Sequence, residues 1–570
     1  MNLSLKQKKH TYSWKSLAWA LLYFCFFSTF LQIIIFISGY SGTNGMRDSI
    51  LFSTLWIIPI LLFPDKIKII AALVGIILWG TSLAALCYYF IYGHEFSQSV
   101  LFVIFETNTS EAGEFLSNYF SADIFIITLI YTALSIFLWT RLRPVYIPTP
   151  WRGIVCFILF YGLILHPITL NSLIRNNSLK DTLSALASRM EPAAPWQFIS
   201  SYYQYRQQLN SLTRLQNENN AMPPLSDFKD ISGNKERTLV MVIGESTQSG
   251  RMSLYGYTRK TTPELDKLYE TDPNMTVFNN VITSRPYTIE ALQQALTFAD
   301  QENPDLYLSR PSLMNIMKQA GYKTFWITNQ QTMTARNTIL TVFSRQTDKQ
   351  YYMNQQRTQS AREYDTNVFQ PFREALNDPA RKKFIIVHLL GTHIKYKYRY
   401  PENNGKFDGS NENVPPGLSG KELEIYNDYD NANLYNDHVV ATLIKDFKAI
   451  DPNGFLLYFS DHGEEVYDTP PHKTQGRNED NPTRNMYTIP FLLWTSEKWQ
   501  TAYQRDFTQY ANRKYSLADL IHTWSDLSGL TYEGYDPKRS IVNPQFKETI
   551  RWIGNPYKKN SLINYDSLPY

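Results

Sequence analysis

Beyond Asn171 the 570-residue chain contains no cysteine; its three, Cys25, Cys87 and Cys156, all fall inside apolar runs nearer the N-terminus. The polar part therefore has no disulfide, no thiolate metal site and no cysteine nucleophile. Lack of disulfides does not exclude export. A Gly-rich phosphate loop and a dinucleotide fingerprint are also missing. The formal net charge of +4 is too small for this length to indicate a nucleic-acid partner. Lys and Arg are absent too from the stretch between about Tyr92 and Asp123.

That last absence orients the chain. The mean hydropathy of −0.30 hides two unlike halves, and five apolar segments stand near residues 16–40, 50–63, 67–91, 124–140 and 153–168. A spanning helix needs about 20 mostly apolar residues, so the first and third qualify easily and the second and fifth are short. The first is long, rich in Phe and Leu and followed by further spans, unlike a cleaved signal peptide. Cytoplasmic loops collect Lys and Arg. Lys6, Lys8, Lys9 and Lys15 precede span one, Lys66 and Lys68 lie in the second break, and Arg141, Arg143 and Arg152 flank the fourth. With the N-terminus in the cytoplasm and five spans of a bacterial inner membrane, everything after Ile168 is periplasmic. The Lys- and Arg-free break holds a polar, acidic run from Phe105 to Glu114.

Residues 1–168 thus read as a multi-span α-helical membrane domain and residues 169–236 as an amphipathic bridging linker. Leu179, Leu183, Leu186 and Met190 recur in the linker at helical spacing. From residue 237 to 570, β-rich runs at 238–243, 324–328, 384–389, 455–459 and 489–494 alternate with helical patterns at 289–298, 311–320, 423–447 and 516–528. Such alternation indicates an α/β domain with a mainly parallel central sheet. Functional residues gather at the carboxyl ends of its strands.

At those ends stand Glu245 after Gly244, His393 after Gly391-Thr392, and Asp461-His462 after Ser460, with His472 close behind. Carboxylate and imidazole donors without cysteine suit Zn2+ or Mn2+ in an open catalytic site. Such an ion activates a hydroxyl nucleophile or polarises a phosphoryl oxygen. From spacing alone this is a metal-dependent hydrolase or transferase.

Glu245-Ser246-Thr247, the run Met252 to Tyr257, Thr261-Thr262-Pro263, Thr283 to Thr288, Gly391-Thr392-His393 and Ser460 to Glu464 together resemble the motifs of the phosphoethanolamine transferases. The resemblance runs through nearly the whole chain. It implies an alkaline phosphatase-like catalytic domain that takes phosphoethanolamine from phosphatidylethanolamine, a membrane lipid, and hands it to lipopolysaccharide, here a heptose phosphate of the core. By the same resemblance Thr288 is the nucleophile. Glu245, Asp461 and His462, with Thr288, are the zinc ligands, and His393 and His472 contact the transferred phosphoryl group or a second zinc. Thr107 and Glu111 match residues implicated in holding the ethanolamine head group. The departures are the missing cysteines, Val103 where lipid A-directed relatives have Asn, and Thr334 where some have Lys.

Rival readings are the same chemistry on lipid A, phosphoglycerol transfer to a periplasmic glycan, and a catalytically silent scaffold. A sulfatase needs a C/S-x-P-x-R motif, which is missing.

Overall fold

The computed structural model describes residues 14–37, 43–92, 121–170, 179–190, 192–217, 223–330, 339–354, 364–558 and 560–569. Two compact units emerge, one carrying the apolar helices and running to Arg206, the other running from Gln207 to Tyr570.

In the first unit five helices are long and apolar enough to cross a membrane: α1 (Trp14–Ile37), α2 (Gly45–Leu62), α3 (Pro64–Ile91), α4 (Ala122–Arg141) and α5 (Pro150–Thr169). All five expected segments are there, and the second and fifth gain their missing length at their N-terminal ends. Apolar residues surround these helices, so only part of each is buried by its neighbours. Ile69, Leu73 and Ile76 of α3 and Phe157 and Ile158 of α5 remain more than half exposed, as side chains facing lipid tails would be. Inside the group, polar groups pair with one another. The Tyr131 hydroxyl meets Ser82 Oγ at 2.8 Å, and the Tyr23 hydroxyl donates to the Ala71 carbonyl at 2.8 Å. In hydrocarbon such groups have no water to turn to.

The linker pattern forms α6 (Leu179–Met190) and α7 (Trp196–Asn217). The turn between them docks on the apolar helices of its own unit. Ala194 N–H donates to Ser28 Oγ at 2.9 Å, and Trp196 stacks on Trp56 at 5.8 Å.

The second unit is built on a seven-stranded sheet: β1 (Arg237–Gly244), β2 (Met275–Val277), β3 (Lys323–Thr328), β4 (Lys349–Tyr352), β5 (Lys382–His388), β6 (Gly454–Ser460) and β7 (Phe491–Thr495). Their spatial order is β2-β7-β6-β1-β5-β3-β4, and β7 alone runs against the rest. β1 and β6 are buried along their whole length, which matches their unbroken Val, Ile, Leu and Phe content and the covering of both sheet faces. The helices include α8 (Thr288–Ala295), α9 (Leu313–Gln319), α10 (Lys421–Ile450) and α11 (Leu520–Ser528). The short strands β2 and β4 carry too little alternation to be read in advance.

Without disulfides, charge holds part of this unit together. Arg251 Nη2 lies 2.7 Å from Asp430 Oδ1 on α10, Arg259 Nη1 lies 2.8 Å from Asp430 Oδ2, and Arg251 Nη1 reaches Asp468 Oδ1 at 3.0 Å. The Arg251 guanidinium also sits 3.6 Å from the centre of the Tyr426 ring. Removing one member of a buried cluster strands the others, at about 3–5 kcal/mol. Arg251→Met should accordingly lower the melting temperature of the second unit by about 10 °C. Differential scanning fluorimetry of the full-length protein in detergent checks this, and an unchanged melting curve would show that the cluster contributes nothing.

Candidate active site

The parallel register assembles the site. Gly244 pairs with Ser460 and Ile243 with His388, so the residues that follow β1 and β6, Glu245 and Asp461, leave the sheet side by side. Leu390 to His393 leave β5 on the other flank of β1. Gly391, with φ of +55°, lies so close to β1 that an added Cβ would stand 2.7 Å from the Glu245 carbonyl oxygen and 2.8 Å from its nitrogen. Thr392 N–H donates to that same carbonyl at 3.0 Å. Asp365 ties down the loop by accepting from Leu390 N–H at 2.9 Å and Gly391 N–H at 2.8 Å.

Thr288 opens α8, where the first-turn N–H groups have no helical partner and favour an anion. Its hydroxyl donates to Glu245 Oε2 at 3.0 Å and lies 3.2 Å from His462 Nε2. Glu245, Asp461 and His462 are all buried, and one donor atom of each falls within 4.8 Å of the others. The four residues expected to form the centre are therefore together.

These groups fit a divalent cation. The His462 Nδ1–H donates to the Gly463 carbonyl at 2.9 Å; a carbonyl can only accept, so Nε2 keeps its lone pair and turns it toward the carboxylates. Among the described residues Asp461 Oδ2 is buried with no hydrogen-bond partner, 3.3 Å from His462 Nε2. Burial works against charge on Glu245, but the His462 ring and its hydrogen bond, then His393 and the Arg477 guanidinium, hold it well below the ordinary carboxylate range. Burial, and then the Glu245 charge, hold Asp461 well above that range. Two buried carboxylates in this position need a shared proton or a cation between them. Glu, Asp and His donors with an adjacent hydroxyl form a zinc-type set.

His393 is half-buried and near the pair; burial lowers its pKa to about 3, so it stays neutral. His472 has φ of +62° and is fixed by its Nδ1, 2.8 Å from the Tyr467 carbonyl. Among the described residues no hydrogen bond or ion pair joins it to Thr288 or to the carboxylates. Thr107, Glu111, Val103 and Thr334 lie outside the described residues.

Three further side chains complete the centre. Gln330 Nε2 donates to Glu245 Oε2 at 3.1 Å and to the Leu389 carbonyl at 2.9 Å. Glu464 is buried, and burial pushes its carboxyl up to about 7. Arg477 reaches Glu464 Oε2 through Nε at 3.1 Å and Glu245 Oε1 through Nη1 at 3.8 Å. Glu464 ends the quoted run from Ser460 and Gln330 stands four residues before Thr334, but nothing in the spacing marks Arg477. Ser284, which starts a partial S-x-P-x match to the sulfatase motif with Thr288 in the arginine place, bonds instead to Gln294.

Gly391→Ala should combine the strain of a left-handed backbone, about 1–2 kcal/mol, with a clash on the backbone that carries Glu245. Zinc content and melting temperature should both fall, while Gly417→Ala, at φ of +89° with open space around it, should show the backbone cost alone. Equal behaviour of the two variants would remove the close approach from the account.

Comparison with known proteins gives the family. The sulfatase family model matches residues 237–530. Phosphoethanolamine transferase EptC of Escherichia coli strain K12 is 78% identical over 564 residues, covering 99% of this chain and 98% of that one. The C-terminal periplasmic domain of Escherichia coli EptC, solved in complex with Zn, is 82% identical with a TM-score of 0.61, covering 61% of this chain and 98% of the domain. The integral membrane lipooligosaccharide phosphoethanolamine transferase A of Neisseria meningitidis shares the fold at 18% identity, with a TM-score of 0.63 over 93% of this chain and 98% of that one. With a sulfatase-type catalytic domain behind five apolar helices, this chain is an enzyme that belongs to the phosphoethanolamine transferase family.

Proposed function

We propose that the enzyme moves phosphoethanolamine from phosphatidylethanolamine to a heptose phosphate of the lipopolysaccharide core, through a covalent intermediate on Thr288. The observation that carries this reading is the Thr288 hydroxyl, 3.0 Å from Glu245 Oε2 and 3.2 Å from His462 Nε2 beside Asp461. Glu245, Asp461, His462 and Thr288 would hold a zinc ion, as the Zn complex of the close relative supports. Bound there, zinc would lower the pKa of the threonine hydroxyl and draw charge from a phosphoryl oxygen.

The residues do the rest. Glu245 Oε2 holds the Thr288 proton in the ground state and orients the oxygen. The oxygen attacks phosphorus, the bond to diacylglycerol breaks, and one proton ends on the diacylglycerol hydroxyl. An acceptor phosphate oxygen, giving up its proton, then attacks the same phosphorus, the bond to Thr288 breaks, and the released oxygen takes up that proton. Splitting one displacement into two is the gain from a covalent step. His393, neutral, and His472 would offer hydrogen bonds to the transferring oxygens, and Thr107 and Glu111 would hold the ethanolamine group. Residues 1–168 anchor the chain with its N-terminus in the cytoplasm, 169–236 bridge, and 237–570 act in the periplasm. Both lipid substrates share the anchor's bilayer, which raises their concentration at the site. Acceptor and donor follow from the family resemblance and from relatives that carry the transferase name.

Incubation with head-group-labelled phosphatidylethanolamine should put one label on Thr288, detected by peptide mass spectrometry. Thr288→Ala should lose the label and at least about 10⁴-fold of the transfer rate. Label from phosphatidylglycerol instead would overturn the donor. Chelation should stop transfer and added Zn2+ restore it. Mass spectrometry of lipopolysaccharide from cells with and without the enzyme should place the phosphoethanolamine on the core; its appearance on lipid A instead would overturn the acceptor.

A further inference from the structure

Arg477 lies on a short hairpin. Glu465–Val466 pairs antiparallel with Gln475–Gly476, with Gly476 opposite Glu465, so the next residues out, Arg477 and Glu464, face each other across it. The 3.1 Å ion pair of Nε with Glu464 Oε2 follows from that register. Two residues on, Glu479 pairs with Arg285 in a buried ion pair, which fastens this loop to the one that carries Thr288. The guanidinium is thus held from both sides with only 15% of the side chain exposed. Its Nη1 touches His462 Nε2, the same nitrogen that lies 3.2 Å from the Thr288 hydroxyl. Nη2 makes no hydrogen bond to the described residues.

Charge accounting gives the group a task. Glu245 and Asp461 as carboxylates balance one divalent cation, and Glu464, whose carboxyl is pushed up to about 7, leaves a negative excess when it ionises that would repel an anionic phosphodiester. One guanidinium cancels it. A guanidinium also presents parallel N–H donors that match two oxygens of a phosphoryl group.

We infer that Arg477 is a further catalytic residue, whose terminal N–H groups bind the non-bridging oxygens of the transferring phosphoryl group and stabilise the charge that gathers there. This rests on the phosphoryl-transfer reading above. Nε pairs with Glu464 and Nη1 meets His462 and Glu245, so Nη2 is the terminal donor left for substrate, and Nη1 would join it once a cation takes the His462 Nε2 lone pair.

The test uses the full-length enzyme in phospholipid nanodiscs with zinc content measured. Arg477→Met should keep its zinc, with a lower melting temperature from the buried Glu464 it leaves unpaired, but form the labelled Thr288 about 10²–10³-fold more slowly, the usual effect of removing one oxyanion donor. Its inhibition constant for inorganic phosphate should rise at least tenfold, and Arg477→Lys should recover part of both losses. Full zinc with unchanged rate and unchanged phosphate inhibition would overturn the inference and leave Arg477 a partner of the carboxylates. If Arg477→Met fails to fold or loses zinc, Arg477→Lys decides. It keeps the charge without the fork, so wild-type rate and phosphate inhibition there overturn the inference, and a reduced rate with weakened phosphate inhibition upholds it. A wild-type enzyme with no label on Thr288 would refute the covalent reading instead, and phosphate inhibition would still decide Arg477.

Discussion

Two carboxylates buried side by side govern this molecule. The in-register pairing of β1 and β6 delivers Glu245 and Asp461 to neighbouring positions, and nothing in the strands can move them apart. Burial makes the arrangement unstable unless a cation joins it, so the imidazole, the threonine hydroxyl and the guanidinium around them are answers to one electrostatic problem. That is why a threonine hydroxyl, a metal-type donor set and a cationic side chain occur together rather than separately.

Support for this centre comes from backbone as much as from side chains. Gly391 can pass close to Glu245 because it has no Cβ, and Asp365 holds the loop by capping two of its amides. Gln330 bonds both to Glu245 and to the end of β5. Glu245 and the loop after β5 are thus fixed by groups that do no chemistry, which keeps them aligned without reorganisation at the moment of reaction.

Much of this was legible in the residues. The five spans follow from apolar length, and the strand-to-loop junctions at Glu245, Thr392-His393 and Asp461 follow from β-rich runs ending in polar residues. Thr288 needed the family resemblance, since a threonine at a helix start looks like many others. Arg477 was hidden for a different reason: it sits on a two-residue hairpin whose register, rather than any motif, turns it toward Glu464. His472 was expected at the centre, yet its local bond to Tyr467 explains only how the ring is held. The edge strands β2 and β4 escaped because three or four residues carry no readable period.

The cluster of Arg251, Arg259, Asp430 and Asp468 does in this protein the work that cross-links do in many exported domains. Salt bridges form as soon as the chain folds and need no oxidant, isomerase or correct partner choice among thiols. Maturation of the catalytic unit is therefore uncoupled from the redox state of the compartment in which it folds. The same enzyme could be made in a reducing cytosol or an oxidising envelope with an identical set of covalent bonds in that unit.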